Sequence, residues 1–464
     1  MLDISRRDYL VARAGARASL WFAAVNERLL DELTDWLRIP SISPGEGDPR
    51  ALAHAGQWVI DRVRAAGGSG DLVTIADGNP LAIGDLPAND PDAPTVLIYG
   101  HYDVQGPGDE LAWDSPPFAP EIRDGRLYAR GAADDKGNFL PLLHVACELA
   151  AAGALPVNVR VLVEGEEEVG GESVAEWVRA DPRGADAAIV FDSGVPDLDT
   201  PALTVGLRGL VQLNLSVRTA ERNLHSGLYG GSVLNALHVL LAQLAHVLPG
   251  PDGRLREELR AGIVPPSPAE LASWEQLVSG DQVLAEVGGS PISPDAGAEY
   301  YVRNGADASL DVNAIRGGEP RTVVPPWADA TLTMRLAPGQ DASEIDDALR
   351  ALLHDGLPDG ATLQMTGIHA DPALFDVDDP ALVLAAEALD RATGRRPLFL
   401  RSGGSIPVVA EMAHRGYPVI VGGFGLPEDA IHAPNESYAL RSLELGEASS
   451  RELLQSLAAL PGRG

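Results

Sequence analysis

Thr95-Val96-Leu97-Ile98-Tyr99-Gly100-His101-Tyr102-Asp103 is an apolar run that ends on two polar side chains. Its aliphatic and aromatic residues, flanked by Pro94 and Gly100, read as a short buried strand. The same pattern recurs twice downstream. Residues 157–163 stop at Glu164-Gly165-Glu166-Glu167-Glu168, and residues 187–191 stop at Asp192. Helical spacing fills the intervals, over residues 138–151 and 173–179. Strand, helix, strand, helix, strand predicts an α/β fold with a mixed, largely parallel sheet sandwiched by helices. In such sheets ligands bind outside the carboxyl ends of the strands, so the three polar clusters should converge on one crevice.

On the amino-terminal side, residues 20–37 and 51–65 carry apolar residues at helical spacing, the first ended by Pro40. Residues 72–75 and 81–83 read as short strands. Downstream the periodicity changes. Residues 210–217 and 328–336 alternate as exposed-face strands do, and residues 232–247 read as an amphipathic helix. From Asp378 the buried-strand and helix pattern resumes. The expected organisation is one domain built from residues 1–208 and 368–464, interrupted by an inserted α+β domain over residues 209–367.

Composition narrows the function. The 464 residues hold 35 Lys and Arg against 67 Asp and Glu, a formal charge of −32. Such a chain is poorly suited to a phosphate backbone or an anionic membrane surface, so neither nucleic acid nor membrane is an expected partner. The single cysteine, Cys147, sits in an apolar helical stretch and reads as a packing residue. All basic residues but one are Arg; the exception, Lys136, directs attention to its neighbours. Ser5-Arg6-Arg7-Asp8-Tyr9-Leu10 superficially resembles a twin-arginine export motif, but Arg13 and Arg17 interrupt the apolar region it requires. A soluble, cytoplasmic protein is the expectation.

The candidate clusters differ in weight when taken singly. Strand alternation puts His101 and Asp103 on one side, where Asp103 could orient the imidazole. Residues 130–137 concentrate Asp134 and Asp135 with the only lysine, which suits either a solvated turn or a site. Four carboxylates within residues 164–168, just after a very apolar strand, repel one another unless cations or protons offset the charge. That position favours metal binding or acid/base chemistry. Asp192, His225 and His432 are each ambiguous alone, an Asx-turn or a surface imidazole being the commoner use. His54, His144, His238, His246, His354, His369 and His414 are read as surface or packing residues.

Together the clusters form a known order. The sequence resembles the cocatalytic zinc family of aminoacylases, glutamate carboxypeptidases and dipeptidases, and most closely its carnosinase or cytosolic nonspecific dipeptidase branch. The resemblance runs from about Leu33 to the carboxyl end. It rests on Gly100-His101-Tyr102-Asp103-Val104-Gln105, Arg130 to Gly137, Glu164 to Gly170, Asp192, His225-Ser226-Gly227, Arg401-Ser402-Gly403-Gly404-Ser405-Ile406-Pro407, and His432 followed by Asn435-Glu436.

That resemblance implies two Zn2+ per chain, with Mn2+ or Co2+ as credible substitutes. His101 and Asp192 would hold one, Glu168 and His432 the other, and Asp134 would bridge them. Glu167 is the implied general base, with Asp103 beside His101. The triple Glu166-Glu167-Glu168 allows a one-residue shift of register, and the spacing from Glu164-Gly165 and to Gly170 matches the family only with Glu167 as the base. The resemblance makes residues 1–208 and 368–464 the catalytic domain and residues 209–367 a lid or dimerisation domain, from which His225 would act on a neighbouring subunit's site, implying a homodimer. Arg335, Ser405, Thr322 and Arg401 match positions that contact the substrate carboxylate. Such a site would direct water at an amide carbonyl while Glu167 moves the proton.

Three functions follow as alternatives: a dipeptidase cleaving next to a free C-terminal carboxylate; a deacylase or carboxypeptidase acting on N-acyl or N-carbamoyl amino acids or glutamate conjugates; and a non-catalytic binding protein that retains the fold. The retention of every implied ligand and of the base disfavours the third.

Overall fold

The computed structural model describes residues 25–404 and 406–462. The Ser5–Leu10 motif, the start of the first expected helix and Ser405 lie outside the described residues.

A nine-stranded sheet forms the larger layer. Its centre is four parallel strands in the order Asn158–Glu164, Thr95–His101, Ala187–Phe191 and Val419–Gly422. Antiparallel Leu81–Leu86 and Ser69–Val73 extend one edge. At the other, Ala202–Leu207 pairs with Val419–Gly422 antiparallel and with Leu398–Ser402 parallel. The central strands are buried along almost their whole length because helices cover both faces, and they are accordingly rich in Val, Ile and Leu, with the buried Arg160 paired to Asp181. Helix Lys136–Ala151 is buried from Lys136 to Cys147, and is accordingly apolar almost all round.

Local chemistry sets the ends of the elements. Helix Glu27–Leu37 starts where the Asn26 side chain accepts from the amides of Arg28 and Leu29. Helix Pro49–Ala65 starts with Asp48 as cap and Pro49 in its first turn. The strand expected at 72–75 is Ser69–Val73, because hairpin pairing aligns Ser69 with Asp85 and Val73 with Leu81. The helix expected over 232–247 is Ala236–Ala245, since Asn235 caps it by accepting from Leu237 and His238.

A separate four-stranded antiparallel sheet contains Gly209–Arg218, Ser309–Gly317, Trp327–Leu336 and Thr362–Ala370. Helices Ala236–Ala245 and Ala342–His354 pack on it around a second core that includes Leu213, Leu240, Leu332 and Leu349. The intervening segment with helices Pro268–Trp274, Gly280–Glu286 and Tyr300–Gly305 reaches back to the larger sheet. Trp274 Nε1 donates to the Phe399 carbonyl at 3.0 Å, and the Phe399 amide donates to Ser273 Oγ at 3.0 Å. Among the described residues no helix is long and apolar enough to cross a membrane.

Candidate metal centre and active site

The parallel strands deliver their polar ends to one edge. His101 is the last residue of its strand, Glu167 and Glu168 lie in a 3-10 turn just after Asn158–Glu164, and Asp192 follows Phe191. The loop after Val419–Gly422 carries His432, and the turn before helix Lys136–Ala151 carries Asp134. Two ligand groups result, His101 with Asp134 and Asp192, and Asp134 with Glu168 and His432, each with ligand atoms within 4.8 Å of one another. Asp134 belongs to both. Its Oδ1 lies 3.1 Å from His101 Nε2 and its Oδ2 lies 2.9 Å from His432 Nε2, while Glu168 Oε2 is 3.0 Å from that same imidazole nitrogen.

A supporting layer holds these side chains. His101 Nδ1 lies 3.0 Å from the Asp103 carbonyl, which leaves Nε2 toward Asp134. The Asp103 carboxylate accepts from the Glu167 amide at 3.2 Å, the Glu168 amide at 3.4 Å and Ser43 Oγ at 2.9 Å. It thereby fixes the turn that presents both glutamates. Gln105 donates to Glu168 from its amide at 3.1 Å and from Nε2 at 2.9 Å.

The triple glutamate separates by partner. Glu166 turns away, accepting from the Asn79 amide at 3.0 Å, the Ser173 amide at 3.1 Å and Ser173 Oγ. Glu168 lies against His432. Burial and the nearby carboxylates of Asp134, Glu168 and Asp103 push Glu167 up to about 7. Burial pushes Asp192 well above the usual carboxylate range, with Glu167, Asp134 and Glu168 adding to it. Two imidazoles and three carboxylates converging in this way fit divalent cations, which would offset the mutual repulsion.

Glu436, quoted in the sequence only as part of the His432 motif and given no role, shapes the Asp134 turn. Glu436, fully buried, accepts from the amides of Gly131 at 2.9 Å, Ala133 at 2.9 Å and Asp134 at 3.1 Å, and from Arg130 Nη1 at 2.7 Å. A Glu four residues after a candidate ligand was the available signal. The loop bearing His432 is also held tightly. Ala430, His432 and Asn435 all adopt positive φ, a conformation non-glycine residues enter at a cost. Asn435 anchors it by donating to the Ala112 carbonyl at 3.0 Å and accepting from the Asp114 amide at 2.9 Å, and Asp429 pairs with Arg126. The Asp134–Asp135 peptide is cis.

The remaining expected residues are dispersed. Arg401 is a correction: its Nε pairs with Glu270 at 2.5 Å and its Nη1 donates to the Val264 carbonyl at 2.9 Å, with the side chain only 1% exposed. Its donors fasten the 264–305 segment to the sheet and are not offered to a substrate. His225 is exposed on a two-stranded ribbon opposite Val323, its Nδ1 accepting from the Gly227 amide at 3.1 Å. Thr322 adjoins it, its carbonyl accepting from the Ser226 amide at 3.0 Å. Arg335 lies on Trp327–Leu336 opposite Ser309, whose Oγ accepts from Arg208 Nη1 at 3.2 Å.

Arg208 was not anticipated. It is 8% exposed and its buried Nε has no hydrogen-bond partner among the described residues. Burial and the like charge of Arg335 hold it down at about 10. Lys136 has a structural role, its Nζ donating to the carbonyls of Trp36 at 3.1 Å and Ile39 at 3.0 Å, where helix Glu27–Leu37 ends. Cys147 is buried, as its apolar surroundings predicted.

A doubly shared carboxylate, flanking imidazoles and an extra glutamate at the carboxyl edge of a mostly parallel sheet define a metal-dependent hydrolase. The chain belongs to Peptidase family M20/M25/M40, which residues 97–456 match, and is a metallopeptidase. It is 28% identical over 453 residues to the cysteinylglycine-S-conjugate dipeptidase of Corynebacterium striatum, covering 92% of this chain and 95% of that one. It is 27% identical to the human Beta-Ala-His dipeptidase over 77% of this chain and 73% of the relative. Human carnosine dipeptidase 1 superposes with a TM-score of 0.73 at 23% identity, covering 94% and 96% of the two chains. An M20 family metallo-carboxypeptidase from Sulfolobus solfataricus gives 0.79 at 23% identity, covering 93% and 99%.

Proposed function

We propose that the protein is a dipeptidase that hydrolyses the amide bond next to a free C-terminal carboxylate. The observation that carries this is Asp134 shared between two ligand groups, with Glu167 beside both and not itself a member of either. Relatives named as dipeptidases, aligned over most of both chains, support the substrate class.

His101 and Asp192 would hold one divalent cation, Glu168 and His432 a second, and Asp134 would be common to both. Zinc suits this donor set, with manganese or cobalt as substitutes, and metals bound there would acidify a water and polarise the scissile carbonyl. Glu167 takes the proton from the attacking water and returns it to the leaving amine. Asp103 keeps the His101 imidazole oriented and the glutamate turn in place. Arg335, assisted by the buried Arg208, meets the C-terminal carboxylate, a task suited to planar guanidinium groups. Ser405 and Thr322 are proposed as further contacts. His225, exposed and remote in its local bonding from this cluster, serves the site of a second copy in a homodimer and donates to the developing oxyanion.

The test is amine release from free dipeptides and matched N-acetyl amino acids, with protein stripped by chelator and reloaded with zinc or manganese. Metal-dependent cleavage of the free dipeptides, abolished by Glu167→Ala, is expected. Activity confined to the acetylated set would move the protein to the deacylases, and no metal-dependent hydrolysis of either set would refute the assignment.

A further inference from the structure

The two metal-ligand residues Asp134 and Asp192 form one end of a cavity of about 780 Å³. The rest of its wall is mostly apolar. Leu277, Val278, Val283 and Tyr300 come from the segment that reaches back from the inserted region, Leu400 comes from the larger sheet and Leu426 from the loop after Val419–Gly422. Four acids line it, Asp134, Asp192, Glu286 and Asp429, and among the described lining residues none is basic. Asp429 is already paired with Arg126, so Glu286 is the charge that remains away from the metal ligands.

From this geometry we infer that the cavity receives the side chain of the substrate's N-terminal residue and selects large apolar, including aromatic, ones. The inference rests on the dipeptidase reading. A dipeptide bound with its scissile carbonyl at the ligand cluster directs one residue to each side. The C-terminal residue carries a carboxylate, which Glu286 would repel and no lining base would meet; Arg208 and Arg335 do not line the cavity and suit that end instead. The N-terminal residue is thereby assigned to the apolar side. Its side chain leaves water for Leu, Val and Tyr surfaces, and the volume lies in the range of cavities that enclose a small organic ligand. An acidic side chain there would be repelled by Glu286.

The decisive measurement is kcat/KM of zinc-loaded protein for Phe-Gly, Leu-Gly, Ala-Gly, Asp-Gly and Gly-Phe, in wild type and in Val283→Trp and Val278→Trp. Both wall residues retain some exposure, so the added ring has space to adjust. Phe-Gly and Leu-Gly are expected to exceed Ala-Gly by about tenfold or more, since single methylenes discriminate at that level in apolar pockets. Asp-Gly should be the poorest substrate. Either tryptophan should lower Phe-Gly by about tenfold while Ala-Gly and Gly-Phe stay within about twofold, their retained activity showing that the variant is folded. Equal values for all substrates, with both variants neutral, would overturn the inference while leaving the dipeptidase reading intact. If Gly-Phe and not Phe-Gly follows the substitutions, the side assignment is wrong. No cleavage of any dipeptide would overturn the underlying reading and the inference with it.

Discussion

Glu436→Gln tests whether the metal centre is shaped from a distance in sequence. The wild-type carboxylate accepts four hydrogen bonds, Oε2 from Arg130 and Gly131, Oε1 from Ala133 and Asp134. Glutamine keeps the volume but turns one oxygen into a donor, so two of the four bonds become donor facing donor whichever way the amide sits. At about 1.5–3 kcal/mol for each bond to a charged group, the loss is about 3–6 kcal/mol, a large part of ordinary protein stability. Arg130, only 2% exposed in its side chain, also loses its ionic partner. The consequence for function is specific, because the turn that Glu436 holds ends at Asp134, the candidate ligand common to both groups. Zinc affinity, read by competition with a chromophoric chelator, should fall about 10–100-fold, the usual effect of removing a group that orients a metal ligand. Thermal unfolding on the same samples should show the stability loss. Zinc affinity within twofold of wild type, whatever the melting temperature, would refute the claim that Glu436 positions Asp134.

Glu167→Gln should lower kcat by about 10²–10⁴-fold while zinc affinity changes only a few-fold, as expected of a proton carrier that is not a ligand; comparable losses in both would make it a ligand. Reloading chelator-stripped protein with zinc should raise the melting temperature, the linkage adding about 4 kcal/mol of stability at a free metal concentration a thousand times Kd, and an unchanged transition would contradict the reading of the carboxylate cluster. Arg208→Met and Arg335→Met should each raise KM for dipeptides more than they lower kcat, and steady-state kinetics showing the reverse would remove them from carboxylate recognition. Asp181 accepts from Arg160 at 2.6 and 3.0 Å; burial alone would raise its pKa, but the Arg160 bonds outweigh it and hold it below the usual range. Its contribution is therefore complete above the unfolded carboxylate value of about 4 and is lost as pH falls through the lower folded value. The wild-type advantage over Asp181→Asn in melting temperature should be constant above about pH 5 and shrink below about pH 4, and a gap independent of pH across that range would show that the pair does not titrate as described.

The opening strand shows how much chemistry was legible along the chain. An apolar run has to be covered on both faces, and where it stops the next polar residue emerges at a sheet edge. His101, Glu168 and Asp192 could be placed on one side for that reason, and the alternating helices predicted the parallel sheet that aligns them. Asp103, two residues beyond His101, could be paired with it by strand alternation. The second, antiparallel sheet was announced by its change of period, visible at 210–217 and 328–336.

Other assignments depended on contacts between distant parts of the chain. Arg401 stood out in the sequence by its motif, and nothing local marked Arg208. The fold gives Arg401 to Glu270 and leaves Arg208 Nε without a hydrogen-bond partner among the described residues, beside Arg335. Glu166, Glu167 and Glu168 are chemically identical neighbours whose register the sequence set only through the family spacing, and in space their partners separate them: Asn79 and Ser173 for the first, the His432 imidazole for the third. The apolar cavity next to Asp192 is assembled from segments more than a hundred residues apart, and the Asp134 turn is folded around a carboxylate from near the carboxyl terminus. Sequence by itself determined which side chains emerge at the strand ends, because backbone periodicity is local. Tertiary structure decided which of them are already satisfied and which remain free to act, because a hydrogen bond or an ion pair depends on distance in space, to which the chain order is blind.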